Sequence, residues 1–300
     1  MAGGHPLTEQ QMTYYDNVVQ DVIRQEIVGR NLIAIATGSP FGFGVQKIDF
    51  NALVDMSAAE LSMTLTENAD MIGLTNDSLP IPILHKEWEI GRRDLASSKR
   101  TGMPLDTVGP ETAASKVAEL EDSLIIDGWS ADGTNYDFNG LYQSAGNDYS
   151  TSKDFGTAGN AIVAVKGGIA LLLADHIKPP YNITLNQVQY GEILGPRATT
   201  SDKTELSIIR DMLRGGDGAG ETTPFGPNAG GNIFVTDVMT AGTALISATP
   251  NTRYADLAIG LDVATEYEFL PKSRNAFGRV FECMIPRIKE PNAFCKLSAI

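Results

Sequence analysis

Four basic side chains, Arg92, Arg93, Lys99 and Arg100, fall within nine positions of the stretch "GRRDLASSKRTGMPLDT" (91–107), in a chain of formal net charge −14. A cluster of that kind can meet phosphate, a nucleic-acid backbone or the carboxylates of another protein chain. The overall charge argues against wrapping nucleic acid, because that affinity comes largely from many Lys and Arg contacts. It does not argue against enclosing nucleic acid. Just upstream, residues 49–77 carry Asp49, Asp55, Glu60, Glu67, Asp70 and Asp77 and no Lys or Arg.

Other chemistry-bearing residues do not assemble into a constellation. His5, His85 and His176 are the three histidines, far apart and without a second ligand at metal spacing. There is no G-x-S-x-G elbow and no Cys–His pair that sequence singles out. Cys283 and Cys295 read as reduced core residues, since free Cys commonly behaves as a small buried hydrophobe. The stretch "RGGDGAGETTPFGPNAGG" (214–231) holds seven glycines. It fails the dinucleotide pattern because Glu221 stands where the third Gly belongs, and no Lys–Ser/Thr follows for a P-loop. Asp217 and Glu221 would repel phosphate rather than cradle it. The acidic pairs Glu121 with Asp122 and Glu266 with Glu268 read as solvated faces. The expectation is therefore no cofactor, no metal and no enzyme. The competing class, a hydrolase on an α/β lobe around Asp217, Glu221 and His176, has no positive support.

The elements that would carry these residues follow from periodicity. Three hundred residues at 42% hydrophobic content suffice for one large core or two modest ones. No run of about eighteen apolar residues could span a bilayer. The start of the chain lacks a signal peptide's basic and apolar regions, so the chain is expected to stay in the compartment where it is made. A helix is expected at about 8–29, with Thr8 and Gln11 as a capping box and Met12, Tyr15, Val19, Val22, Ile23 and Ile27 near one face. It would dock on a core, or serve as an arm on a neighbouring subunit. Residues 45–66 alternate like extended strands. The clearest helix is "GPETAASKVAELEDSLIIDG", with Pro110 early, Gly128 past its end and a stripe of Ala113, Val117, Leu120 and Leu124. Another helix is expected at about 158–177, then a buried strand "YNITLN", two short helices and closing strands of a mixed or antiparallel sheet.

This order resembles the Hong Kong 97-type capsid fold, an α+β architecture, and more closely its encapsulin-like branch. The resemblance rests on "IPILHKEWEIGRRDLASSKRTGMPLDTVGPETAASKVAELEDSLIIDG" (81–128), "YNITLNQVQYGEIL" (181–194) and "ADLAIGLDVATEYEFLPKSRNAFGRVFECMIPRIKEPNAF" (255–294). It implies an N-terminal helical arm and start of a peripheral domain at 1–49 and an extended loop, a β-hairpin, at 50–82. The peripheral domain continues over 83–155 with a spine helix at about 110–127. An axial domain follows at 156–261, and closing peripheral strands at 262–300. Two functions fit. One is the major capsid protein of a tailed virus, assembled in the host cytoplasm around double-stranded DNA that it encloses without sequence-specific contacts. The other is an encapsulin, a cytoplasmic nanocompartment shell that takes up cargo enzymes by a short peptide. The departure of "RRDLASSKRTGMPLDT" from the encapsulins' "RG-x-x-x-DPDL" form places the virus first.

Either way the implied partners are many copies of the same chain, in pentamers and hexamers, with portal, scaffolding or cement proteins as further partners of a virus and no membrane. The intersubunit hypothesis is that the acidic loop, through Glu60, Glu67 and Asp70, lies across a neighbour's Arg92, Arg93, Lys99 and Arg100. Asp217 and Glu221 would belong to an axial pore loop. The type phage's covalent crosslink needs a Lys on the extended loop, and residues 48–85 contain none.

Overall fold

The computed structural model describes residues 7, 9–36, 44, 47–52, 75–101, 107–130, 137–150, 153–195, 203–215, 231–269 and 275–300. The N-terminal periodicity becomes α1 (Glu9–Glu26), whose Tyr15, Val19 and Ile23 are buried. A single 3-10 turn (Gly29–Asn31) leads into β1 (Ala34–Ile35). The hairpin strands β2 (Lys47–Ala52) and β3 (Thr75–Pro80) pair antiparallel from Lys47 opposite Pro80 to Ala52 opposite Thr75. In β4 (Ile83–Ile90) the side chains alternate, with Leu84 and Trp88 turned into the core.

The basic stretch, to which the sequence reading assigns no helix, is a helix, α2 (Arg92–Thr101). Arg, Leu, Ala and Lys are good helix formers, and Asp94 sits in the first turn where the helix dipole favours an acid. The spine helix α3 (Val108–Ile126) starts two residues before Pro110. Gly128 ends it with φ +106°, and a Cβ there would lie 2.3 Å from the Phe138 carbonyl oxygen. Only glycine takes that backbone at no cost, and it lets β5 (Gly128–Trp129) pair at once with β6 (Phe138–Asn139).

Beyond β7 (Asn147–Ser150) come α4 (Asn160–Ala174) and β8 (Tyr181–Asn186). Asn186 closes the strand and caps α5 (Gln187–Ile193), its side chain accepting from the Val188 amide at 2.9 Å. Thr204 caps α6 (Glu205–Leu213) in the same way. The chain finishes with β9 (Ile233–Thr236), β10 (Thr243–Ala248), β11 (Ala255–Phe269), β12 (Ala276–Ile288) and β13 (Phe294–Ser298).

Both larger sheets are mixed. One has the order β1-β11-β12-β4, the other β7-β13-β10-β8-β9. The parallel pairs are β1 with β11, β7 with β13 and β8 with β9. β7 and β13 bring strands from the 83–155 and 262–300 segments into the sheet built mainly from 156–261.

Helix α3 packs against α1 on one side and β4 and β12 on another. Its Ala113, Ala114, Val117 and Ala118 are buried together with Val19, Ile23, Trp88 and Val280. The small residues allow close approach to both a helix and a sheet. Each buried Val or Ile in that layer contributes about 1.5–3 kcal/mol over exposure. The Tyr267 ring meets Trp88 edge-on at 6.1 Å, and its hydroxyl lies 2.9 Å from the Asp16 carboxylate and 3.2 Å from the Met12 carbonyl. α1 is thus docked on its own subunit. Among the described residues no helix is long and apolar enough to cross a membrane.

Candidate assembly surfaces and a buried charge centre

Helix α2 displays Arg92, Arg93 and Arg100 as exposed side chains, and none of them forms an ion pair with a described residue. A spacing of seven is nearly two helical turns, so positions 92 and 99 lie in one row and 93 and 100 in the next. The start of the helix is fixed by Asn275, whose side chain accepts from the Arg92 amide at 3.1 Å and donates to Glu89 at 2.6 Å. The result is a seated helix whose Arg92, Arg93 and Arg100 side chains have no ion-pair partner among the described residues.

Of the six acids between 49 and 77, Asp49 and Asp77 stand in the paired hairpin, opposite Ser78 and Phe50 respectively. Glu60, Glu67 and Asp70 lie outside the described residues, as do Asp217 and Glu221. At the foot of the hairpin Leu79, with Ile81 just beyond it, packs on Ala258 and Ile285 of the four-stranded sheet.

The structure corrects one sequence reading. Glu121 and Asp122 do not form a solvated face: Glu121 is fully buried and Asp122 nearly so. Asp122 accepts the amides of Val28 at 2.9 Å and Gly29 at 2.7 Å, which clamps the exit of α1 to the spine helix. A Cβ on Gly29 would lie 2.9 Å from the Asp122 carboxylate, so the approach needs glycine. Glu121 holds Arg30, with Nε to Oε1 at 2.5 Å and Nη2 to Oε2 at 3.3 Å. The same Nη2 lies 3.0 Å from Asp262 and 3.4 Å from Glu282, whose side chain is fully buried.

Burial pushes the Glu282 carboxyl well above the usual carboxylate range, and the Glu121 charge adds to that against the pull of Arg30. Glu121 also moves up through burial, with the Arg30 hydrogen bond and charge opposing. Asp122 is raised by burial while the Val28 and Gly29 amides oppose. Burial alone would lower Arg30, but Glu121, Asp262 and Glu282 hold its guanidinium above its ordinary value. It therefore stays charged.

Arg30 and Glu282 were invisible as a pair in the sequence, 252 positions apart. Glu121 carried a signal: it falls one turn after Val117 and three residues before Leu124, on the buried stripe of its helix.

The remaining candidates show no catalytic arrangement among the described residues. His85, in β4, and His176, just past α4, are exposed, and Cys283 and Cys295 are free and buried. A groove of about 330 Å³ beside the spine helix is lined by Ile83, Leu84, Leu120, Leu124, Trp129 and Phe138, with His85 its one titratable side chain among the described residues. A second hollow, about 640 Å³, lies over the open face of the four-stranded sheet. There Arg279 is engaged by Glu87 at 2.8 Å and Glu266 at 3.8 Å. Among the described residues no group of three or more His, Cys, Asp or Glu could hold a metal ion.

Comparison with known proteins agrees with a layout built for assembly. The chain is 24% identical over 294 residues to the type 1 encapsulin shell protein EncA of Myxococcus xanthus, covering 98% of this chain and 94% of that protein. It is 24% identical over 279 residues to a diheme-cytochrome-encapsulin shell fusion protein of Kuenenia stuttgartiensis, covering 93% of this chain and 70% of that one. The virus-like particle of Pyrococcus furiosus superposes with a TM-score of 0.68 at 15% identity, over 97% of this chain and 100% of that chain. The capsid of Myoviridae phage XM1 superposes with a TM-score of 0.62 at 10% identity, over 90% of each chain. The fold is the Hong Kong 97-type capsid fold. The family described as "Encapsulating protein for peroxidase" matches residues 2–217. With that match spanning most of its length, the chain belongs to the family of encapsulating proteins for peroxidase and is a shell-forming structural protein.

Proposed function

We propose that this chain is the shell subunit of an encapsulin-type nanocompartment, whose many copies close around protein cargo. The observation that carries the reading is the family match over residues 2–217, supported by encapsulin relatives aligned over nearly the whole chain. The sequence alone ranked the viral capsid first, on the form of the 92–107 segment. Likeness to phage capsids is a likeness of fold and does not separate the two, whereas the sequence relatives favour the nanocompartment. The viral reading keeps the form of the 92–107 segment as its support.

In this reading the four-stranded sheet with α1 and α3 is the core of the peripheral domain, and the five-stranded sheet is that of the axial domain. Asp217 and Glu221 sit in the axial pore loop, and the acidic loop with Glu60, Glu67 and Asp70 lies on a neighbour's α2, at Arg92, Arg93, Lys99 and Arg100. Each exposed ion pair contributes only about 0–1 kcal/mol. Their role is register and steering, with apolar burial supplying most of the affinity. The heterologous contact closes into a shell by rotational symmetry.

The test is purification of the chain with its neighbouring genes, followed by negative-stain microscopy and analysis of the particle contents. Closed shells holding a co-purified enzyme and no nuclease-protected DNA are expected. Particles filled with protected double-stranded DNA would establish the viral reading, and a small soluble species would remove both.

A further inference from the structure

Two fully buried glutamates share one guanidinium where the chain leaves α1. Around Glu282 of β12 stand Arg30 from the 3-10 turn, Glu121 from α3 and Asp262 from β11. On the β4 side its register partner is the apolar Leu84, and along β12 its neighbour is the buried thiol of Cys283. Asp122 is committed to the Val28 and Gly29 amides. With every carboxyl ionised, Glu121, Glu282 and Asp262 would set three negative charges against Arg30. Arg30 gives its Nε and part of Nη2 to Glu121, so among the described residues Glu282 receives one long contact from it, at 3.4 Å.

The other Glu282 oxygen, Oε1, is buried and has no hydrogen-bond donor among the described residues. A buried carboxylate oxygen without a donor is costly. A proton on Glu282 removes that cost, because it lets Glu282 donate to the Glu121 carboxylate beside it. The buried set then comprises one cation, one anion and one neutral acid.

We propose that Glu121 and Glu282 hold one proton between them, and that this proton latches the exit of α1 to the spine helix and to β12, so that the joint loosens when the proton is lost. The unfolded chain gives up that proton near the ordinary glutamate value, about 4.3. Burial raises the folded-state value of Glu282 far above it. The latch's contribution is therefore complete below the unfolded value and declines as the pH rises through the folded one. The loosening comes as the pH rises, not as it falls.

Two measurements on assembled particles test this. The infrared spectrum at pH 7 should contain a protonated-carboxyl stretch that vanishes in Glu282→Gln. Hydrogen exchange of residues 27–32, corrected for the intrinsic pH effect, should lose protection in the wild type as the pH rises from the ordinary glutamate value toward the folded-state one, by up to about tenfold per pH unit, and level off above it. Glu282→Gln keeps the donor to Glu121 without a titratable proton and should hold its protection flat. Absence of the infrared band, or equal loss of protection in both proteins, would overturn the proposal. Should Glu282→Gln fail to assemble, the wild type alone decides: the band must vanish at the pH where the protection stops falling, and a mismatch between the two refutes the latch.

Discussion

Arg30 and Arg92 carry the same guanidinium and meet carboxylates in opposite settings. Arg30 is mostly buried, its partners are fixed within its own chain at 2.5–3.4 Å, and two of the three have no solvent exposure. Arg92 stands exposed on α2 and has no ion-pair partner among the described residues. The first arrangement holds a subunit together. The second leaves charge available for another subunit, at almost no cost to the fold. The contrast separates residues that decide whether the tile forms from those proposed to decide how tiles meet.

The sharpest way to break that contrast is at the buried end. Arg30→Ala leaves Glu121 and Glu282 in the interior without their cation. Breaking a buried pair by removing one partner costs about 3–5 kcal/mol. The thermal unfolding midpoint should fall on the order of 5–15 °C, and a fall of under a degree would show that the centre is not held by its ion pairs. Asp122→Ala comes next, because it strands the Val28 and Gly29 amides, and a buried donor without a partner costs about 1–3 kcal/mol. A calorimetric midpoint between those of wild type and Arg30→Ala is expected.

A smaller effect should separate docking of α1 from folding of the rest. Tyr267→Phe removes the hydroxyl that reaches Asp16 and Met12 and keeps the ring against Trp88. A loss of about 0.5–1.5 kcal/mol is expected, seen as faster hydrogen exchange confined to α1. Uniform acceleration across both sheets would mean that α1 is not a separable layer.

How far the sequence went reflects which interactions are local. The spine helix, α1, α4 and the strand 181–186 were legible because apolar spacing and their stop signals lie within each segment. Helix α2 was missed as a helix, since a highly polar stretch lacks the apolar stripe that periodicity detects. Its structure rests instead on helix-forming residues and on Asn275, almost two hundred positions away. Sheet membership was harder still. Nothing near β13 announces that it joins β7 and β10, because strand order is decided by pairings across the whole chain. The charge centre failed for the same reason. The sequence places Glu121 beside Asp122, but Arg30 and Glu282, which complete the centre around Glu121, and the Val28 and Gly29 amides that hold Asp122 come from other parts of the chain.

The smallest expected effect on the subunit is at the exposed end, where it should be the largest on the particle. Reversing Arg92 and Arg93 to Glu changes four units of charge on a solvated helix face, and surface substitutions of that kind shift stability by about 0.5 kcal/mol or less. The unfolding midpoint of the dissociated subunit should hardly move. Assembly should be blocked or misdirected, because the change repeats at every copy and, in the proposed contact, sets like charge against a neighbour's acidic loop. Raising the salt concentration should partly restore particle yield, since screening weakens repulsion between exposed charges separated by more than about 8 Å at physiological ionic strength. Light scattering and microscopy of the double variant across a salt series read this directly. Intact particles at normal yield in low salt would remove α2 from the interface and leave apolar contacts alone to set register.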